Sequence, residues 1–556
     1  MFQGADAMIS IYSSADGFGT SPDYTPTSVF FNQVLPTLTF TFENVPNGQQ
    51  IVIPLTGGTN LAASDTIRWP GEARSLPIGN LPSYTNDNGI TLTFDVIVAV
   101  NSGSFTGFGA NWTGGNYVSA VSANVDTPDT TWALGDSVTD FTQAFYTCNT
   151  LTQVPTNIPS SVTNVSGMFQ GTELFNQNIG SWDVSNITDM SDMFKESVLF
   201  NQDIGAVWAT TSLENMSGMF QGSVAFDKSI VGLDTSSVTN MSSLFQDAVT
   251  YNVSINTLDV SSVTNMSSMF QGALAFNQDI SGWNTASATD MSSMFQGAVA
   301  FNQDINGWNT ASVTNMSSLF QDAVTYNVSI NTLDVSSVTD MSSMFQGAVA
   351  FNQDIGGWNT ASATDMSSMF QGAVAFNQDI GVWDTSNVLS MAGMFQGAVA
   401  FNGKIVPWDT SSVTDLSNMF NGAGGFDQKI YYWETTDVVS GNYADMFSGA
   451  TAMATTYSSN PDFGSTPDPN FFNVPLARIT FTFTDVPNDG AVTIPLTGGV
   501  GITANDIINW SGSQLQITNS PSYTNSSGGV STLTASVRMI DGIFTKLGGV
   551  WTGGEY

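Results

Sequence analysis

The stretch Val263–Ser287, VTNMSSMFQGALAFNQDISGWNTAS, decides the fold, because close copies of it recur along the middle of the chain. Its Met-Phe dipeptide marks the register, since MF or LF returns every 25 residues almost throughout. The phenylalanines of these dipeptides are Phe169, Phe194, Phe220, Phe245, Phe270, Phe295, Phe320, Phe345, Phe370, Phe395 and Phe420. Degenerate units around Phe145 and Phe447 bring the total to thirteen. Self-similarity at such a period indicates stacked repeats.

Each unit combines two local patterns. In SVTNMSSLFQDA (312–323) the apolar residues recur at intervals of mainly three, with one pair adjacent, which is typical of one face of a short helix. In FNQDISGWNTAS (276–287) the apolar spacing is strand-like, and Gly and Asn supply turns. The sequence therefore predicts an α/β solenoid of 13 coils, with about 25 residues per coil. A single 26-residue step at DIGAVW (203–208) predicts a bulge in that coil's strand.

Stacking predicts columns of like residues, about one inter-strand distance apart. One column holds isoleucine in every unit from Ile179 to Ile430, and a second alternates Trp and Leu from Trp182 to Trp433. An outward Trp column would stack sugars, but its alternation with Leu favours the core. A Met column, Met266 to Met391, is open to interpretation as a soft-metal site, whereas its spacing against Phe favours packing.

A third column precedes each isoleucine and is rich in aspartate. Two adjacent pairs, Asp279 with Asp304 and Asp354 with Asp379, would lie about one strand spacing apart and repel each other. Calcium would relieve the repulsion, because it prefers carboxylate oxygen; full exposure to solvent would relieve it as well. The four aspartates are the metal candidates of this sequence, and no other cofactor is predicted.

Two copies of a different module flank the repeats. LTFTFENVPNGQQIVIPLTGG (38–58) and ITFTFTDVPNDGAVTIPLTGG (479–499) alternate apolar and polar residues, and PSYTN and WTGG follow in both copies. Alternation predicts strands with one buried face, and PNG and PND predict turns. About 100 residues of short strands favour an immunoglobulin-like β-sandwich.

The stretch WDTSNVLSMAGMFQGAVAFN (383–402) carries a family resemblance. It resembles the mycoplasma-type, BspA-like leucine-rich repeats of bacterial surface proteins, over roughly residues 130–450. The resemblance implies a leucine-rich-repeat-like solenoid on a cell-surface or other extracellular protein, adhesive or of unknown role, and not an enzyme. The flanking modules resemble PKD-type domains, although WPGE (69–72) and WSGS (510–513) replace the usual WGDG.

Composition excludes several functions. The 556 residues hold 46 Asp plus Glu against 9 Lys plus Arg, a formal net charge of −37. That balance argues against partners such as nucleic acid and anionic membrane surfaces, and no apolar run reaches the length of a membrane helix. With no His and one cysteine, Cys148, the chain has no Ser-His-Asp triad and no imidazole metal site. Asn-x-Ser/Thr sequons recur with the repeat and leave glycosylation open.

These patterns predict five segments and a tandem arrangement. Met1 aligns with Met446 and Tyr117 with Tyr556, which favours a window cut from a longer array with a 445-residue period; a complete gene product is the alternative. The predicted segments are the end of a preceding solenoid and a linker (1–23), a β-sandwich (24–130), the solenoid (131–450), a linker (451–468) and a second β-sandwich (469–556).

The expected function is a non-enzymatic extracellular structural fibre, stalk or adhesin at the cell surface. Its expected partners are further copies of itself and host-cell or matrix proteins or glycans. One alternative is a virion-attached fibre that binds a host receptor. The other is an acidic polysaccharide hydrolase, for which repeat-periodic carboxylates offer no distinct cleft.

Overall fold

The computed structural model describes residues 37–101, 104–109, 112–123, 132, 134, 137–439, 441–472, 478–500, 502, 506–510, 513–527, 529–538 and 543–547. The chain divides into two compact units, Met1–Ile187 and Thr188–Tyr556. The predicted solenoid end and linker at 1–23 lie outside the described residues, and the predicted domain boundaries stay predictions.

Unit 1 begins with the first β-module, in which alternating residues set the sheet. Leu38, Phe40 and Phe42 of LTFTF point to the core and are fully buried. The strands are β1 (Leu38–Val45), β2 (Gln50–Val52), β3 (Leu55–Thr56), β4 (Thr66–Arg68), β5 (Leu76–Pro77), β6 (Ser83–Thr85), β7 (Leu92–Ala99), β8 (Gly107–Phe108) and β9 (Val118–Ala123). They form an antiparallel sheet in the order β5-β4-β7-β1-β9 and the pairs β2-β6 and β3-β8.

Unit 2 ends with the second β-module, which repeats the local geometry of the first. Its strands are β10 (Arg478–Val486), β11 (Ala491–Thr493), β12 (Leu496–Val500), β13 (Ile507–Trp510), β14 (Ser513–Gln516), β15 (Ser522–Thr524), β16 (Ser531–Arg538) and β17 (Ile543–Leu547). Their sheet order is β10-β16-β13-β14, with the pairs β11-β15 and β12-β17. The register shift between Phe42 and Val45 of β1 recurs between Phe483 and Val486 of β10.

The 25-residue repeats are built from turns, with bonds between neighbours. In the repeat at Val263–Ser287 four backbone N–H groups donate to carbonyls of the next repeat, at 2.7 to 2.9 Å; the donors are Met266, Ser268, Phe270 and Gly272, and the acceptors are Asp290, Ser292, Met294 and Gln296. Single-residue parallel bridges join the same position of successive repeats, such as Asn240 with Asn265 and Asn265 with Asp290. Stacking is therefore held by backbone bonds as well as by side chains.

The predicted fold class, an α/β solenoid between immunoglobulin-like β-sandwiches, is wrong. Helix within the described residues is confined to α1 (Thr451–Thr456) and the 3-10 segments Gly115–Tyr117, Ile430–Tyr432 and Pro469–Phe471. The sheets there are small antiparallel ones.

The predicted helical segment of each repeat fails because of its backbone conformation. Ser268 and Gly272 have φ of 56° and 68°, and equivalent residues in the other unit-2 repeats are also left-handed. A right-handed helix does not accommodate such residues, and the backbone donors that a helix would use internally bond to the next repeat instead. The predicted strand at 276–287 is likewise a run of turns and irregular chain.

The 26-residue step is absorbed in a turn, so the predicted strand bulge is also wrong. In a regular repeat the N–H of Trp283 donates to the carbonyl of Ile280, three residues back, at 3.2 Å. In the longer repeat the N–H of Trp208 donates to Ile204, four residues back, at 3.1 Å. The extra residue thus widens one turn and leaves Trp208 buried in register.

The core of the repeats is a set of stacked rings. Phe270 lies 3.9 Å from Phe276 of its own repeat and 5.8 Å from Phe295 of the next, measured between ring centroids. Trp283 and Trp308 stack at 6.1 Å. The Ile, Trp and Met columns are buried, which confirms the predicted core position of the Trp and Met side chains.

Candidate functional site

The site that the sequence proposed is the aspartate column, and it is exposed. Asp279, Asp304, Asp354 and Asp379 all lie at the surface. Three of them accept a backbone N–H two residues on, at 2.8 to 2.9 Å: the pairs are Asp279 with Ser281, Asp304 with Asn306, and Asp354 with Gly356. Each of these carboxylates therefore closes a local turn.

The fourth aspartate of the column has a cationic neighbour. The Lys404 Nζ lies 3.3 Å from Asp379 Oδ2, and the Lys404 N–H donates to Asp379 Oδ1 at 3.1 Å. At Asp279, the backbone N–H and the hydroxyl of Ser281 lower the pKa of the carboxyl, which favours its charged form. Across the described ranges, no group of three or more His, Cys, Asp or Glu side chains is placed to hold a metal ion. Calcium binding by this column stays a prediction.

A second polar column, which the sequence reasoning missed, joins the repeats by side-chain amides. The Oδ1 of Asn252 accepts from the N–H of Asn277 at 3.0 Å, and Asn277 Oδ1 accepts from the N–H of Asn302 at 2.9 Å. The pattern continues through Asn327, Asn352, Asn377 and Asn402. The signal was the Asn that follows the Phe or Tyr of every FNQ or YNV segment.

A column of glutamines also joins successive repeats. Each glutamine donates a hydrogen bond from Nε2 to the Oε1 of the glutamine in the next repeat, at 2.9 to 3.1 Å; the chain runs through Gln246, Gln271, Gln296 and Gln321. In both columns the side-chain donors or acceptors form hydrogen bonds with neighbouring repeats. These amides therefore serve first to hold successive repeats in register.

The tryptophan column has no outward face for sugar stacking. Trp283 and Trp308 are each 4% exposed, and their indole N–H groups donate to Ile255 and Ile280 of the preceding repeat at 3.0 and 3.1 Å. Ring and polar atom are thus both engaged inside the repeats. The interpretation of this column as core is correct.

The other buried side chains that carry a reactive or titratable group are also structural. Burial raises the pKa of the Cys148 thiol far above its usual range, so the reactive thiolate is disfavoured. Burial likewise raises the pKa values of Tyr251 and Tyr326, which replace Phe in the repeats that contain Leu258 and Leu333. Within the described residues, no hydrogen-bond partner reaches either phenol oxygen.

Each end of the repeats carries its own closing contacts. In unit 1 two N–H groups of the first β-module donate to the repeat around Phe145, which we call the first coil. The backbone N–H of Phe108 donates to the carbonyl of Asp140 at 3.0 Å, and the indole N–H of Trp112 donates to the carbonyl of Ala144 at 2.6 Å. In unit 2 the N–H groups of Asp445 and Phe447 donate to Thr466 Oγ1 and the Ser465 carbonyl, both at 2.9 Å. Phe463 and Phe471 pack against the ring of Phe447 at this end, and Tyr457 packs against both of them.

These features define a tandem-repeat protein whose 25-residue units stack through hydrogen bonds of the backbone and of side-chain amides. The chain belongs to the family described as "Mycoplasma protein of unknown function, DUF285", which matches it four times in tandem, at residues 139–253, 225–327, 303–388 and 376–461. Together these matches cover more than half of the chain. The mycoplasma-type repeat resemblance is confirmed at this level; its leucine-rich-repeat and PKD-type parts are not. No curated protein matches the chain.

No helix among the described residues is both long enough and apolar enough to cross a membrane.

Proposed function

We propose that this chain is a non-enzymatic structural element of an extracellular fibre or stalk, or an adhesin, displayed at the cell surface. The observation that supports the proposal most is the sameness of the repeats from residue 241 to residue 390. Residues 241–315 and 316–390 are two near-identical blocks of three repeats each. A surface that repeats every 25 residues offers many equal contacts and no single cleft, which suits mechanical or multivalent roles.

The energetics of the repeats support the same role. Polar side chains of the asparagine column form hydrogen bonds with neighbouring repeats. The phenylalanine rings of successive repeats stack without interruption from Phe194 to Phe447. Stability in such an arrangement grows with nearest-neighbour contacts, so length adds little strain. The strongly acidic composition suits a solvated surface that resists nonspecific sticking.

The test is protease shaving of intact source cells. We expect chain-derived peptides in the shaved fraction, while a cytoplasmic marker stays inside. Release of the chain with sedimenting virions would favour the virion-attached fibre, and its recovery with the cytoplasmic marker would refute both extracellular roles. A soluble-glycan turnover assay on the purified chain should show no activity; turnover would revive the hydrolase.

Calcium is a separate proposal for the aspartate column. If Asp279, Asp304, Asp354 and Asp379 bind it, a chelator should lower the Tm of the chain, and D279N/D354N should remove that sensitivity. A Tm that ignores the chelator would leave these carboxylates as turn-closing, solvated groups.

A further inference from the structure

One face of unit 2 carries a continuous line of exposed aliphatic side chains, which we name the ridge. It takes one residue from each of nine successive repeats: Val198, Val224, Val249, Leu274, Val299, Val324, Val349, Val374 and Val399. Seven of the nine side chains are 36% to 52% exposed, and Val249 and Val324 are half-buried. Scattered exposed apolar residues are ordinary, whereas a contiguous line of them marks an interaction surface.

The backbone holds the ridge rigid. The carbonyl of Val249 accepts from the N–H of Ala275 at 3.2 Å, and the carbonyl of Leu274 accepts from Ala300 at 3.2 Å. The same bond recurs at Val324, Val349, Val374 and Val399. Since the side chains already project from a bonded backbone, a partner would order little chain on binding, which lowers the entropic cost of association.

The flanks of the ridge are mostly neutral. Three residues before the ridge residue stands Gln in eight of the nine repeats, with Lys195 in the first, and three residues after it stands Asn in eight, with Asp227 in the second. Two residues before the ridge residue, three of the nine repeats carry a carboxylate, Glu196, Asp247 and Asp322, and the other six carry Gly. Asp247 and Asp322 stand in the repeats of the two half-buried valines. In a chain of net charge −37, this is a face where two equally charged molecules would approach with little direct repulsion.

We propose that the ridge is a self-association surface, and that its occupant is the ridge of a second copy of this chain. The period of 25 residues is the same in both copies, so a two-fold arrangement would bring each aliphatic side chain to an equivalent one and meet the self-complementarity that such a dimer requires. Side chains that recur at one spacing also interdigitate well across a dry interface. This pairing does not depend on the proposed extracellular role.

The size of the ridge sets the strength of the dimer. A standard interface takes about 800 Å² from each partner. Seven partly exposed Val and Leu side chains supply on the order of half of that area, and the flanking amides supply part of the remainder. The dimer should therefore be reversible, and because the apolar contact is opposed by long-range repulsion between acidic molecules, it should strengthen as salt screens that repulsion.

The experiment is sedimentation equilibrium of the full chain at low and high salt. We expect a monomer–dimer equilibrium that shifts toward the dimer at high salt. V349D/V374D should weaken the dimer by at least tenfold, because each Asp would place a charge in an apolar contact. The matched control is V382D/L389D, which adds the same charge at exposed aliphatic positions off the ridge and should leave the equilibrium unchanged.

Circular dichroism should be identical in all three proteins, since the changed residues are exposed. A chain that stays monomeric at every concentration and salt would overturn the proposal. So would a dimer that weakens with salt, or one that the control variant disrupts as much as the ridge variant does.

Discussion

Most strands of the two β-modules correspond to one another, but the two modules contact the repeats through different residues. In both, a buried Asn ties the first long strand to its neighbours: Asn86 donates to the Val45 carbonyl at 3.0 Å and Asn525 to the Val486 carbonyl at 2.8 Å. The first module, however, meets the first coil with Phe108, whereas the counterpart Leu547 is 49% exposed. The second module contacts the repeats through Arg538, whose counterpart is Ala99. One folding unit has thus been joined to repeats twice, through different positions.

Arg538 is a buried cation that reaches the repeats by its side chain. Its Nη1 donates to the carbonyls of Pro407 and Trp408, at 2.9 and 3.3 Å. Only 5% of the residue is exposed. A guanidinium that binds carbonyls in a dry setting forms strong hydrogen bonds, but its removal leaves the acceptors unpaired.

The largest effect should come from Phe108, whose ring lies at the junction between the first β-module and the first coil. Phe108 lies 5.5 to 6.0 Å from the rings of Trp132, Phe141 and Phe145. Phe108→Ala should cost about 3–5 kcal/mol of local stability, because it leaves a cavity among these rings. Hydrogen exchange at the amides of the first coil measures it. Leu547→Ala is the matched control and should cost well under ~1 kcal/mol; equal losses would erase the difference between the junctions.

The second junction should respond to loss of its arginine. Arg538→Ala should cost about 1.5–3 kcal/mol, since charged hydrogen bonds to two buried carbonyls disappear. Denaturant unfolding of the full chain and exchange at the amides around Trp408 measure the loss. Arg68→Ala, at an exposed position of the first module, controls for charge. If both variants behaved alike, Arg538 would not be what fastens the second module.

A smaller effect is expected where the last repeat is closed. Thr466→Val removes the Oγ1 that accepts the Asp445 N–H and keeps the side-chain volume, so we expect a cost of about 0.5–1.5 kcal/mol. Exchange at the Asp445 amide should speed up most. Thr455→Val, whose hydroxyl donates to the Thr451 carbonyl in α1, is a control away from that contact. Unchanged exchange at the Asp445 amide would show that Thr466 does not stabilise the end of the last repeat.

The repeats away from both junctions give a baseline, and there the effect should be smallest. The Ser336 hydroxyl and backbone N–H lower the pKa of Asp334. A carboxyl whose pKa is lowered by folding stabilises the protein fully above its unfolded pKa and loses that contribution as pH falls through the folded value, which places the loss below about pH 4. Asp334→Asn should therefore reduce the acid sensitivity of the Tm. Asn309→Asp, the equivalent site one repeat earlier, should increase it; the opposite signs would refute the assignment.

How much of this followed from the sequence depends on the kind of evidence. The repeat period and the buried Trp and Met columns were predictable, because identical spacing forces identical burial. The local structure was not. MSSMF has an apolar pattern that suits a helix, but Ser268 is left-handed, and this serine is unremarkable in a single sequence. Arg538 likewise looked like any strand residue, since its acceptors lie 130 and 131 residues away in the chain.

Four alternate backbone N–H groups of each repeat, those around its Met-Phe dipeptide, point to the next repeat and give that edge of the repeats an electrical direction. In an ordinary parallel sheet the N–H groups of one strand point alternately to both neighbours. Here Met266, Ser268, Phe270 and Gly272 all donate to the next repeat, against three backbone bonds to the preceding repeat, from Thr264, Asn265 and Ala275. Peptide dipoles add along such an edge, as they do along a helix. Inserting or deleting whole repeats leaves both terminal polarities unchanged, so the chain can lengthen by duplication, as 241–315 and 316–390 show, without new end contacts.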